Sequence, residues 1–409
     1  MQLCSLHKLL YGLDHKGLGA LTIAALGGMY SSMILNLLPI FVSTWVAHLH
    51  VPEHTAGIIA TVNLFSHAAG VGATLYFVSR WSLPRIAMAG LALAVAGDLA
   101  SIFSHSVVPL AVARAAAGLG LGLQYGAVVN WFGRNESSAQ GFGLFITLQF
   151  ALAALLFAIV PHLVAFFGDA SPYLALFPLM GLAALCLPAL GLNGGSQPLP
   201  ARTSAINGAT APVPSVTATR TTKILSVAAL AAFNLAALGL WGYMQSYGEA
   251  LGLSAKAVSG ALALSAICGI PGGGLVVLLG SRYGRLWPLL ASLLLFAAPI
   301  AVFARGAVSV AVFVLGQAVI GLAWTMVFPY FLDLQSALDK TGRLGVVGML
   351  VAAFAAACGP GVIGFGVEHG DYGGAFRLAL WAFAASAAMA IAPARRADTQ
   401  HQLHRMANS

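Results

Sequence analysis

The stretch Val107–Phe132, VVPLAVARAAAGLGLGLQYGAVVNWF, decides the fold. It is apolar and long enough to cross a bilayer, which takes about 20 residues of helix, yet it contains Arg114. A charged side chain at the centre of a membrane costs about 2.5–3.5 kcal/mol on insertion scales. Arg114 must therefore face a partner or a wet cavity, and we expect the other segments to form the bundle around it.

The composition indicates a polytopic membrane protein. Of the 409 residues, 59% are hydrophobic and only 7% are charged, whereas a soluble domain is about 25% charged. The net charge of +8 does not indicate a nucleic-acid partner, because the basic residues lie in short loops between apolar segments. The four cysteines are far apart in the sequence, so we expect no metal site, no disulfide framework and no cofactor.

Twelve segments are long and apolar enough to span a membrane: 18–46, 55–78, 84–104, 107–132, 140–166, 172–192, 224–248, 256–280, 286–304, 307–332, 343–366 and 374–393. Residues 193–223 are rich in Gly, Pro, Ser, Thr and Ala, which predicts a flexible linker. We therefore expect an all-α membrane protein with two six-helix bundles, residues 1–192 and 224–393, followed by a cytoplasmic tail, 394–409.

The distribution of basic residues predicts the orientation. If the N-terminus is cytoplasmic, fifteen of the nineteen Lys and Arg residues face the cytoplasm, three face outwards, and Arg114 lies in the membrane. This bias predicts that both termini are cytoplasmic. The high Ala and Gly content and the lack of a targeting signal favour the cell inner (plasma) membrane, and we expect a monomer among membrane lipids.

A short signature occurs in both halves. Gly72 precedes Arg80 by eight residues, and Gly274 precedes Arg282 by eight, so the two copies are 202 positions apart. Both copies fall at the cytoplasmic end of the second predicted helix of their half. This indicates two parallel six-helix repeats, an architecture in which transporters bind solutes between the halves near the membrane midplane.

The chain resembles the major facilitator superfamily in several short motifs. Residues 280–285, GSRYGR, are similar to that family's Gly-x-x-x-Asp-Arg-x-Gly-Arg loop, with Ser281 at the usual Asp position. The loop-motif residues are Arg80, Arg282, Gly284 and Arg285. Residues 36–39, NLLP, also fit the family pattern, whereas the family's fifth-helix Gly-Pro motif is found in the eleventh segment instead.

Arg114, followed by Gly118, Gly120 and Gly122, is similar to the family's fourth-helix motif. The resemblance implies the twelve-helix fold, alternating access, and an association of this Arg with proton coupling. It also implies that the first, fourth, seventh and tenth helices line a central cavity. The glycines themselves predict close helix packing in lipid.

Asp98 is the candidate partner of Arg114. At about 1.5 Å per residue, both lie about 9–12 Å below the same membrane edge on consecutive helices, so an ion pair is feasible. Three roles remain open. Asp98 gains and loses a proton and thereby couples transport, the pair only pins two helices together, or Arg114 binds an anionic solute.

Two stripes share the spacing i, i+7, i+11, which places each on one helix face: Asn234, Trp241 and Gln245 in the seventh segment, and Gln317, Trp324 and Phe328 in the tenth. With Asn36 and Gln124 they are candidate solute-binding residues, unless they serve only interhelical packing. His67 is a candidate proton relay or a packing residue.

These features predict a proton-coupled secondary transporter of a small organic solute, with an organic anion favoured by Arg114. A multidrug-type efflux antiporter for amphipathic compounds is the alternative that the aromatic stripes favour. A non-transporting membrane sensor is the alternative of another class. We do not expect an enzyme, because the spans contain no His-Glu-x-x-His, Gly-x-Ser-x-Gly or paired catalytic carboxylates.

Overall fold

The computed structural model describes residues 15–133, 138–191, 218–279, 283–306, 308–339, 343–367 and 371–407. These residues are helical apart from short connections. The helices run from one side of the molecule to the other, and we define the two sides by the ends of the first predicted segment. The near side is where its helix begins, at His15, and the far side is where its second piece ends, at Leu49.

The first half contains eight helices in its described residues, some of them pieces of one predicted segment. They are α1 (His15–Asn36), α2 (Leu38–Leu49), α3 (Glu53–Phe77), α4 (Leu83–Ile102), α5 (Val107–Gly133), α6 (Ser138–Phe167), α7 (Ser171–Leu174) and α8 (Phe177–Cys186).

The second half contains six long helices in its described residues. They are α9 (Arg220–Ala250), α10 (Ala255–Leu279), α11 (Leu286–Phe303), α12 (Val310–Leu338), α13 (Arg343–Gly364) and α14 (Gly373–Ala407). Within the described residues, ten helical stretches are long and apolar enough to span a membrane, or eleven with the bent pair α1–α2. One of the ten stretches is Gly141–Gly191, which covers both the fifth and the sixth predicted segments.

The first predicted segment, 18–46, is bent rather than straight. α1 and α2 meet at Leu37 with an angle of 54° between them. Pro39 lacks the N–H that would bond the carbonyl of Leu35, and the N–H of Ile40 bonds Leu37 instead of Asn36. The bend therefore leaves the carbonyls of Leu35 and Asn36 free to accept other donors.

The prediction of one continuous sixth helix over 172–192 is wrong. That stretch consists of α7, a turn, α8 and a 3₁₀ segment, Leu187–Gly191. Pro172, Pro178 and Pro188 lie at or near the start of successive pieces. Each proline removes a backbone donor, so the helix restarts at each of them.

The helix α14 continues through the start of the predicted tail, 394–409, as far as Ala407. Ala394 and Ala397 are buried on this extension, and the carboxylate of Asp398 accepts the backbone N–H groups of Arg285 and Leu286. Packing against the start of α11 therefore keeps the chain helical beyond the apolar segment.

The two halves repeat one packing pattern. In the first half α5 packs against α3 and α4, and α1 packs against α6 and α8. In the second half α12 packs against α10 and α11, and α9 packs against α13 and α14. Three further pairs, α3 with α13, α6 with α10, and α2 with α9, join the halves. This is the arrangement of two pseudo-symmetric helix bundles that the sequence predicts.

The glycines of α5 permit close helix approach, as predicted. A Cβ atom added to Gly122 would lie 2.0 Å from the carbonyl oxygen of His67 on α3. A Cβ atom added to Gly120 would lie 2.4 Å from the backbone of Gly90 and Ala94 on α4. α5 is therefore held between two neighbours at backbone contact distance, which fixes the position of Arg114 on the same helix.

We predict that Gly122→Ala destabilises the folded protein, because the new methyl group meets backbone atoms that cannot move independently. Overpacking of this kind costs about 1–3 kcal/mol. Thermal unfolding in detergent, followed by size-exclusion chromatography, measures the effect. Gly143→Ala is the matched control, since nothing lies within 4 Å of a Cβ atom at that position. Equal melting temperatures for the two variants would contradict the packing role.

Candidate functional site

An ion pair lies inside the first half. The Nη2 atom of Arg114 on α5 donates a hydrogen bond to Oδ1 of Asp98 on α4. The exposed fractions of the two residues are 0% and 1%. The hydroxyl of Tyr30 on α1 donates to the other carboxylate oxygen, Oδ2, at 2.6 Å. Three helices therefore meet at one carboxylate.

Aromatic rings enclose the guanidinium of Arg114. Its Cζ atom lies 5.4 Å from the ring centre of Tyr173 on α7 and 6.0 Å from that of Phe41 on α2. Such distances allow a cation–π attraction. The side chain therefore lies within the first half, and none of its surface reaches the space between the halves in this conformation.

The donors of Arg114 are only partly used. Its Nε and Nη1 atoms find no hydrogen-bond partner among the described residues. Its backbone carbonyl accepts a hydrogen bond of 2.7 Å from Nδ2 of Asn63 on α3. A buried donor without a hydrogen-bond partner is costly, and beside these N–H groups the described residues offer the rings of Tyr173 and Phe41 rather than an oxygen acceptor.

Trp241 joins the halves at the bend of the first segment. Its Nε1 atom donates to the freed carbonyl oxygens of Leu35 and Asn36, at 3.1 and 3.2 Å. The Asn36 side chain donates to Ser32 in its own helix at 2.8 Å. These two candidate solute-binding residues therefore lie together, at the junction of α1, α2 and α9.

The other candidate amides are buried, and each donates a hydrogen bond inside the protein. Gln124 donates to the carbonyl of Gly27 at 2.8 Å, Asn234 to that of Leu230 at 2.9 Å, Gln245 to Glu249 at 2.7 Å, and Gln317 to the sulfur of Met244 at 3.1 Å. The amide N–H groups of these side chains therefore already have partners inside the protein. Their role as solute ligands is untested and remains a prediction.

The aromatic residues of the two stripes are more accessible than the amides. Trp241, Trp324 and Phe328 are half-buried. The two tryptophans line one cavity of about 10 Å³ together with Phe296 on α11, and Phe328 is not among its lining residues. The structure thus brings the two predicted tryptophans together on facing helices of the second half.

His67 on α3 is buried, and its ring lies 5.6 Å from that of Tyr125 on α5. Its Nε2 atom has no hydrogen-bond partner among the described residues. The side chain is separate from the ion pair, which lies towards the far side. Its role as a proton relay remains a prediction.

The loop-motif residues lie on the near side. Arg80 covers the ring of Tyr76 at 4.4 Å, and Arg282 lies outside the described residues. Gly284 has a φ of +75°, a conformation that favours glycine. Arg285 pairs with Asp333 on α12, with Nε and Oδ2 2.8 Å apart. Carboxylates of α12 and α14 therefore hold this loop.

Hydrogen bonds towards the far side join the two halves in the described part of the chain, and we call this set the far-side seal. Ser43 donates to Glu249 at 2.9 Å. The hydroxyl of Tyr243 donates to the carbonyl oxygen of Glu53 at 3.2 Å, and the N–H of Gly361 donates to Thr61 at 2.9 Å. Single polar residues within apolar helices gave no sequence signal for this seal.

Sequence reasoning also missed Tyr30, Phe41 and Tyr173 around the ion pair. Tyrosine and phenylalanine are common in membrane helices, and no spacing links these three to Asp98. The one available signal was that these three residues lie at about the same membrane depth as Arg114. The bend between α1 and α2 and the breaks around α7 make that depth difficult to count from the sequence.

The comparisons with known proteins agree with this architecture. The sequence model described as Major Facilitator Superfamily matches residues 21–356. Solved structures similar to the chain include a peptide transporter (POT; 17% identity, 94% of this chain and 95% of that chain, TM-score 0.72). A D-xylose-proton symporter has 12% identity, 92% and 96% coverage, and a TM-score of 0.71.

The nucleoside transporter NupG is also similar, with 15% identity, 91% and 98% coverage, and a TM-score of 0.67. At these identities the likeness shows the fold alone. A comparison with curated protein sequences found no match.

We predict that Asp98→Leu destabilises the protein by about 3–5 kcal/mol, because it leaves the guanidinium of Arg114 buried without a counter-charge. The double variant Asp98→Leu/Arg114→Met should recover most of that loss. Thermal unfolding in detergent of the two single variants and the double variant measures the coupling. Additive losses would show that the two side chains do not depend on each other.

Proposed function

Because this chain belongs to the Major Facilitator Superfamily, we propose that it is a secondary active transporter that moves a small organic solute across the membrane by alternating access and is driven by protons. The Asp98–Arg114 pair carries this proposal. A carboxylate that is 1% exposed and faces one cation is the kind of group whose protonation changes helix contacts.

Protonation of Asp98 would remove the negative charge from the pair and leave Arg114 to seek another acceptor. Tyr30 and Phe41 connect this event to α1 and α2, which also carry the bend and Ser43 of the far-side seal. A proton at Asp98 can therefore influence whether the halves stay joined. The two other roles, a structural pin or direct contact with an anionic solute, are outcomes of the test below.

The far-side seal supports a conformational state in which the space between the halves is closed on the far side. From Ala236 to Gly248, every residue of α9 is buried except the half-buried Trp241 and Ser246, whereas Val227, Ala231 and Leu235 are partly exposed nearer the near side. We infer a space between the halves that widens towards the near side. With the near side cytoplasmic, as the basic residues favour, this is an inward-facing state in the cell inner membrane.

The solute class follows from the residues beside that space. Trp241 and Trp324 favour compounds with apolar surface, and the polar edge at Asn36 favours compounds that also accept or donate hydrogen bonds. We propose a small organic solute, with organic anions as the first class to test. Multidrug-type export of amphipathic compounds is the alternative that the tryptophans support. A sensor that retains the fold without transport is excluded if any compound is carried.

We predict that Asp98→Asn uncouples transport from protons. Proteoliposomes are tested with benzoate, dialanine, xylose, uridine and ethidium, both in counterflow and under a pH gradient. Asp98→Asn should retain counterflow of the carried compound and lose at least tenfold in gradient-driven accumulation, because the amide cannot take up a proton. Arg114→Ala should lose both activities.

Three outcomes decide between the roles of the pair. Normal coupling in both variants would contradict the proposal. Loss of folded protein in both would identify a structural pin, and a changed preference for benzoate in Arg114→Ala alone would indicate solute contact. Gly143→Ala is the control for reconstitution, because it lies outside the pair and the seal.

We predict that a disulfide between Thr61→Cys and Gly361→Cys stops transport. A Cβ atom at Gly361 would lie 3.6 Å from that of Thr61, which is within the range that disulfides require. The bond would hold α3 and α13 together and prevent the halves from separating on the far side. Counterflow should fall at least tenfold after oxidation and return after reduction.

The cross-linking experiment uses a background in which Cys4, Cys186, Cys268 and Cys358 are replaced by serine. The two single-cysteine variants, oxidised in the same way, are the controls and should keep their counterflow. Full counterflow with the disulfide formed would contradict alternating access through this interface.

A further inference from the structure

A small cavity lies at the far end of the first half, directly beyond the ion pair. Its volume is about 40 Å³, and its polar lining consists of Thr44, His48, Ser101, Asp169 and Tyr173. These residues come from α2, from the end of α4, from the connection between α6 and α7, and from α7 itself. The cavity is therefore enclosed by the first half alone and does not border the second half.

The mouth of the cavity is open to the far side. There His48 Nδ1 and Asp169 Oδ2 lie 2.9 Å apart, and their side chains are 25% and 53% exposed. The ring of His105 lies 5.4 Å from that of His48. Further in, Ser101 and Tyr173 are each 3% exposed. Exposure thus falls steadily from the surface towards the ion pair.

The floor of the cavity is one side chain thick. Tyr173 lines the cavity, and its ring centre is 5.4 Å from the guanidinium carbon of Arg114. Ser101, also in the lining, lies three residues after Asp98, which is about one helical turn. Asp98 and Arg114 therefore lie immediately beneath the cavity.

The size and lining of the cavity suit water. A buried water needs about 10–15 Å³ and two to four polar partners, so about 40 Å³ accommodates about three waters. Apolar cavities stay dry, whereas this one has hydroxyl, imidazole and carboxylate groups.

We propose that this cavity is a hydrated chamber through which Asp98 exchanges its proton with the far-side solution, separately from the space between the halves. The proposal rests on the proposed function, in which Asp98 is the coupling carboxylate. A hydronium ion in the chamber gives a proton to the hydroxyl of Ser101 or Tyr173 at the chamber's floor, and that hydroxyl passes its own proton to the Asp98 carboxylate. Asp98 becomes a neutral carboxylic acid, and water remains in the chamber. The reverse transfer restores the ion pair with Arg114.

The groups around this proton path belong to five helices and two connections. Tyr30 on α1 and Arg114 on α5 contact Asp98 directly. Tyr173 on α7 stands between them and the chamber. At the mouth are His48 on α2, His105 after α4, and Asp169 before α7. The buried hydroxyls in the chamber lining are those of Ser101, which donates to the carbonyl of Gly97, and Tyr173, which accepts from Nε1 of Trp45.

Silver ions test the chamber without any transport assay. In the background without native cysteines, Ser101→Cys is exposed to Ag⁺ on the far side of oriented vesicles, and the remaining free thiol is then measured with a fluorescent maleimide after unfolding. The control is Ser292→Cys, since Ser292 is also buried and donates to a carbonyl of its own helix, as Ser101 does.

We expect Ser101→Cys to react at least tenfold faster than Ser292→Cys. Ala170→Met, which fills the chamber from its lining, should slow the reaction of Ser101→Cys at least tenfold. Ala47→Met, on the exposed side of α2, should not slow it. Equal rates at positions 101 and 292 would overturn the chamber, whatever the transport assays show.

The proton route is tested with the same compounds in proteoliposomes. Ala170→Met should lose at least tenfold in gradient-driven accumulation while its counterflow stays within twofold of native, because solute exchange needs no proton. Full accumulation by this variant would overturn the route. If the native protein shows counterflow but no proton-driven accumulation, the proposed coupling fails and the route fails with it, while the silver result still reports on the chamber.

Discussion

The structure depends on one constraint: the guanidinium of Arg114 cannot be left without a counter-charge in an apolar bundle. Asp98 supplies that charge, and Tyr30 holds the second carboxylate oxygen. The rings of Phe41 and Tyr173 close the remaining sides. Burial of this charge therefore determines which faces of α1, α4 and α5 turn inwards, and it determines where α7 must lie.

Glycine packing makes that arrangement possible. Gly118 and Gly122 bring α5 against α3, and Gly120 brings it against α4. In lipid there is little hydrophobic force between helices, so close backbone approach and interhelical hydrogen bonds supply the attraction. A motif that resembles a family signature thus has a mechanical role, since it places Arg114 at the depth of Asp98.

The pair and the space between the halves are separate features of the molecule. The pair is enclosed in the first half, whereas Trp241 and the far-side seal lie between the halves. α1 and α2 belong to both, because Tyr30 precedes the bend at Leu37 and Ser43 follows it. In the proposed function, this bent segment transmits the charge state of Asp98 to the seal.

The sequence by itself determined the helical membrane fold, indicated its division into two halves, and named Asp98 as the candidate partner of Arg114. Hydrophobic length, basic-residue distribution and the cost of a charge in lipid are local properties that a sequence displays directly. The tertiary structure alone decided the rest. It extended α14 because Asp398 found donors at the start of α11. It also turned the donors of Gln124, Asn234 and Gln317 into the bundles. These outcomes depend on partners distant in the chain, and periodicity along one helix does not specify which neighbour a side chain meets.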